Sequence, residues 1–90
     1  MSNAIADPAE LERFARELDR FNRQLAESTA RLQAEFNRLG DSWRDQERLR
    51  FVQEFDQTMR VLRQFLQSSE RQVPFLTRKA RRLRDYLGQP

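Results

Sequence analysis

Apolar residues recur every seventh position in the first part of the chain, as Leu11, Leu18, Leu25, Leu32 and Leu39. Phe14 and Phe21 fill intermediate positions, and Phe36 extends the row. No Gly or Pro interrupts residues 9–39. A seven-residue apolar repeat on a charged background predicts an amphipathic helix with a coiled-coil-like seam. Asp7-Pro8-Ala9-Glu10 supplies its start. Asp7 is suited to cap the first turn, Pro8 to open it, and Glu10 stands three after the cap. Glu12–Arg16, Asp19–Arg23 and Glu27–Arg31 form acid-before-base pairs on the wet side. The predicted helix covers residues 8–39.

Gly40-Asp41-Ser42 predicts the turn. Gly40 suits a left-handed position after a helix, and Ser42 or Asp41 suits the cap of the next one. A second helix is expected over residues 43–72. Its main apolar row is Leu49, Val52, Phe55, Met59, Leu62, Leu66 and Val73, widened by Phe51, Val61 and Phe65. Pro74 lacks the N–H a helix interior needs, and the residue before a proline avoids helical angles, so the helix is expected to end or kink at residues 72–74. A short third helix is expected over residues 75–87, with Leu76, Ala80, Leu83 and Leu87 on one face and Gly88 after it. So short a link forces the long helices antiparallel. A turn near residue 41 would set Leu32 by Leu49 and Val52, Leu25 by Phe55 and Met59, Leu18 by Leu62 and Leu66, and Leu11 near Val73.

The expected fold is therefore all-α. It is an antiparallel helical hairpin plus a short C-terminal helix, a single domain over residues 1–90. One seam between two helices cannot cover Phe14, Phe21, Phe51 and Phe65 as well as the leucines. A second hairpin would, giving a four-helix bundle by homodimerisation or by pairing with a similar chain. The apolar faces of the hairpin and dimer are assigned to the leucine and phenylalanine rows above.

Composition narrows the chemistry. The 90 residues contain no Cys and no His. Disulfides, Cys/His metal sites and His-activated nucleophiles are thereby excluded. No Gly-rich phosphate loop or calcium-loop pattern occurs. The carboxylates sit beside arginines on predicted wet faces, so no catalytic residue, metal site or cofactor is assigned and the chain is not read as an enzyme. No apolar run is long enough to span a bilayer, and the opening stretch lacks the pattern of a secretory signal peptide. The net charge of +3 belongs to the C-terminal segment, where Arg78, Lys79, Arg81, Arg82 and Arg84 face one acid, Asp85. Such a basic amphipathic segment suits packing onto the bundle, a protein groove, an anionic membrane surface or nucleic-acid phosphates. The balanced body offers no broad cationic surface for a nucleic-acid backbone, and a membrane surface and nucleic acid rank below packing and protein docking.

Trp43, the single Trp, stands at the turn within Gly40-Asp41-Ser42-Trp43-Arg44-Asp45. It can plug the open end of the hairpin against Leu39 and Phe36, or present itself to a partner, since Trp is a frequent interface anchor. A helical hairpin of this length with Trp at the interhelical turn resembles the WXG family, the early-secretory-antigen-like proteins of type VII secretion. The resemblance covers Leu11 to Val73. The family's Trp-x-Gly turn reads Trp43-Arg44-Asp45 here, with Asp45 in place of Gly. The tail signal common in the family or its partners, Tyr followed four later by an acid, is missing, because Pro90 stands four after Tyr86. The resemblance implies a four-helix dimer and action through protein contacts, with a secretion-machinery component as a further partner. It also implies a cytoplasmic protein that is secreted without a cleaved signal. A basic adaptor for nucleic acid or membranes, and a small export chaperone or structural subunit, are the alternatives.

Overall fold

The computed structural model describes residues 6–88. It contains two helices, α1 (Pro8–Ser42) and α2 (Glu47–Leu87), packed antiparallel, and no strand among the described residues. The molecule is a rod of 71 × 18 × 18 Å with a radius of gyration of 20.3 Å. A globular domain of this length would have a radius of gyration of about 12 Å.

Local chemistry sets the first helix start as the sequence predicts. The Asp7 side chain accepts from the Ala9 N–H at 3.0 Å, and Pro8 opens α1. The other end differs. α1 runs three residues past the expected stop, because Gly40 is helical and no described residue has a left-handed backbone. The last turn finds other partners for its carbonyls. The Trp43 N–H and the Ser42 hydroxyl both donate to the Leu39 carbonyl, at 3.0 and 3.2 Å, and Arg44 reaches that of Asp41 at 3.3 Å. Asp41 and Ser42 thus belong to α1 and do not cap α2.

The expected break at Pro74 and the separate third helix are also corrected. α2 continues through Pro74 to Leu87 as one helix of 41 residues. An interior proline costs about 3 kcal/mol, yet continuation buries Ala80 and Leu83. It also lets Arg84 grip Glu12 with two hydrogen bonds, of 2.6 and 2.9 Å. Pro74 itself is exposed, so its ring meets no packed neighbour on the outer side.

A later turn and an unbroken α2 shift the register. Asn22 meets Ser69, Phe21 meets Phe65, and Phe36 stacks on Phe55. Each α1 residue faces a point roughly two helical turns further along α2 than a turn at residue 41 would give. The seam also differs in kind. Its buried members are Ala15, Asn22, Met59, Ser69, Ala80 and Leu83. Ala15, Ser69 and Ala80 are small, and Met59 is the largest side chain that is fully buried.

Candidate protein-docking site

Three surfaces carry the residues of interest. The first is the interhelical turn. Asp45, the residue in the Gly place of the Trp-x-Gly pattern, organises it. One carboxylate oxygen accepts from the Trp43 indole N–H at 2.7 Å and from the Glu47 backbone N–H at 3.0 Å. Asp45 therefore serves as side-chain cap for α2, a role that Gln46, at the formal cap position, does not fill. The negative charge also sits favourably at a helix N-terminus.

Trp43 is half-buried, with its ring centroid 5.3 Å from that of Phe51. Phe51 in turn lies 5.9 Å from both Phe36 and Phe55. Four aromatic rings thus close the turn end, and Phe51 stands between Trp43 and the Phe36–Phe55 stack. The indole N–H is already satisfied within the turn, so the exposed part of the ring offers mainly apolar contact. Gly40 is helical, and Arg44 folds back onto α1.

The second surface is one long side of the rod. Phe14, Phe21 and Phe65 are 58%, 48% and 48% exposed. Leu32, Leu39 and Val61 are exposed as well. Phe14, Phe21, Leu32 and Leu39 share one edge of α1, being spaced by seven, eleven and seven residues, each close to a whole number of helical turns. The edge-on contact of Phe21 with Phe65, centroids 6.2 Å apart, places Val61 and Phe65 of α2 on the same side. Leu11, Leu18, Leu25, Val52, Leu62 and Leu66 are partly covered. Leu49, which the sequence set against Leu32, is instead among the most exposed leucines, because the shifted register leaves it beside the turn. The opposite side of the rod is charged. There Ala15, Val73 and Thr77 floor a shallow cleft edged by Glu12, Arg16 and Arg23.

The third surface is the basic segment at the end of α2, and its members separate. Arg84 turns inward to Glu12, whose carboxyl is held below the usual range chiefly by the hydrogen bond from that guanidinium. Arg78, Arg81 and Arg82 are exposed and Lys79 is half-buried, with no ion pair to any of the four among the described residues.

Among the described residues, no acidic cluster is arranged to hold a metal ion, and no helix is long and apolar enough to cross a membrane. The described residues thus form a helical hairpin whose Trp turn is closed by aromatic rings and whose one long side is apolar and exposed. The chain matches the model of the WXG100 family, "Proteins of 100 residues with WXG", over residues 4–86, and it belongs to that family. Its setting is type VII secretion, whose small helical substrates are not known as enzymes and typically pair with similar hairpins. No curated protein and no solved structure matches the chain.

Proposed function

We propose that the protein is a non-enzymatic component of a type VII secretion system that acts as a dimer. Its apolar side, Phe14, Phe21, Leu32, Leu39, Val61 and Phe65, pairs with a second copy or a similar hairpin to complete a four-helix bundle. The Trp43–Asp45 turn then projects from the bundle end and docks on the secretion machinery, and the pair is exported without a cleaved signal.

The observation that carries this reading is uncovered apolar surface. The chain exposes 7390 Å². A folded monomer of its mass, 10.9 kDa, exposes about 5,600 Å² on the usual scaling. The difference exceeds the roughly 800 Å² that each partner contributes to a standard interface. The elongated shape accounts for part of that excess, and its apolar part includes the half-exposed Phe14, Phe21 and Phe65 on one side, which a partner would remove from water.

Charge on that side tests the pairing. Phe21→Arg combined with Phe65→Arg places two guanidiniums in the interface. Light scattering is expected to give the mass of two chains for the native protein and of one for the variant. An unchanged two-chain mass in a helical variant would place the contact elsewhere. The turn is tested separately by Trp43→Ala, which should keep the two-chain mass but lose co-purification with the secretion ATPase.

A further inference from the structure

Continuity of α2 through Pro74 creates a surface that the separate residues of the basic segment do not suggest. Arg71, Phe75, Arg78, Arg82 and Tyr86 follow one another by four, three, four and four residues, so they form a single row along the helix. Arg71 is two positions from buried Ser69, and Arg78 and Arg82 are each two from buried Ala80, which sets the row about half a turn from the seam. Every member is exposed, Phe75 by 56% and Tyr86 by 73%, and Lys79 adjoins the row. Between Gln57 and Gly88, α2 carries eight basic residues and two acids, Glu70 and Asp85. The outward row of α1 is different. There Arg13, Glu17, Arg20, Glu27 and Arg31 mix the two signs. The rod therefore has one self-neutralised flank and one cationic flank that carries aromatic rings.

We propose that the outward row of α2, from Arg71 to Tyr86, binds an anionic lipid surface, with the rod lying along the membrane plane. The row is straight and spans about 22 Å, which suits a flat partner. Arginines gain from the negative surface potential, and Phe and Tyr side chains are at home at headgroup depth. Nucleic acid fits less well. Phe75 and Tyr86 stand about 16 Å apart along the helix, too far to stack successive bases. The hairpin, 18 Å across, is wider than the roughly 12 Å major groove. The proposal goes beyond the pairing reading: Arg71 and Arg78 face away from the seam, while Phe75 and Arg82 continue the helical line of Val61, and Tyr86 that of Phe65, towards the far end of α2, and flotation and light scattering read the two separately.

Flotation with vesicles of phosphatidylglycerol and phosphatidylcholine tests it, with pure phosphatidylcholine vesicles as the reference. The native protein is expected to float with the anionic vesicles in low salt, and not with the neutral ones or in about 1 M salt. Arg71→Gln, Arg78→Gln and Arg82→Gln together should lower partitioning about a hundredfold. The same triple change at Arg13, Arg20 and Arg31 should leave it within about threefold, although the net charge falls equally. Phe75→Ala with Tyr86→Ala should cost about tenfold. Circular dichroism of each variant checks that the helices persist. Equal losses from the α1 and α2 triples would overturn the proposal, as would retention of heparin or DNA without any flotation.

Discussion

Asn22 and Ser69 form a polar pair sealed inside an otherwise apolar line. The Ser69 hydroxyl donates to the Asn22 side-chain oxygen at 2.6 Å, and both residues are buried. The Asn22 amide nitrogen has no partner among the described residues. Removing one member of such a pair leaves the other stranded, whereas removing both relieves the demand. Ser69→Ala alone should therefore destabilise by about 1–3 kcal/mol in urea denaturation. Adding Asn22→Leu should recover most of that loss. Glu12 and Arg84 make the second residue-scale link, and it depends on acidity. Glu12 has its folded pKa lowered, so the contribution is complete above the ordinary carboxylate range and fades as pH falls through that range and below it. Replacement by Gln should flatten the acid side of the stability profile measured by thermal unfolding. Gly40 sharpens the contrast with the sequence reading. A left-handed glycine would resist Ala, but Gly40 is helical and an added Cβ would meet only the Arg48 guanidinium, at 3.8 Å. Gly40→Ala should stabilise by about 0.5–1 kcal/mol, seen as a higher unfolding midpoint.

At the scale of elements, the seven-residue repeat makes α1 legible and Asp7-Pro8 its start, and Gly40-Asp41-Ser42 points to the turn within a few residues. Pro74 hides the continuity of α2, because the local cost of a proline stands against a longer apolar pattern. The row Leu62, Leu66, Ser69, Val73, Leu76, Ala80, Leu83 and Leu87 keeps alternating steps of four and three straight across the proline. Phase preserved through a helix breaker is the signature of one continuous helix, and it was there to be read. Register failed for a related reason. Pairing large side chains with large ones misses that Ala15, Asn22, Ser69 and Ala80 are buried in the seam beside Met59 and Leu83. The role of Asp45 was not legible, since its capping depends on where α1 stops. Pro74→Ala restores a donor to an exposed stretch of α2 and should raise stability by up to about 3 kcal/mol, with no loss of helicity by circular dichroism. A drop in stability would mean that the proline is needed for a bend that the packing uses.

The whole molecule is a long rod with too little interior of its own. Few of the described side chains are fully buried, Met59 being the largest of them, and Phe14, Phe21 and Phe65 lie exposed on one flank. A partner that covers that row supplies what the single hairpin lacks. In the proposed pairing, folding is linked to association, and stability is expected to rise with protein concentration. The most direct measurement is thermal unfolding of the native chain at concentrations a hundredfold apart. The account predicts a midpoint that climbs with concentration and a single cooperative loss of helix. A midpoint independent of concentration, in a fully helical protein of one-chain mass, would contradict it.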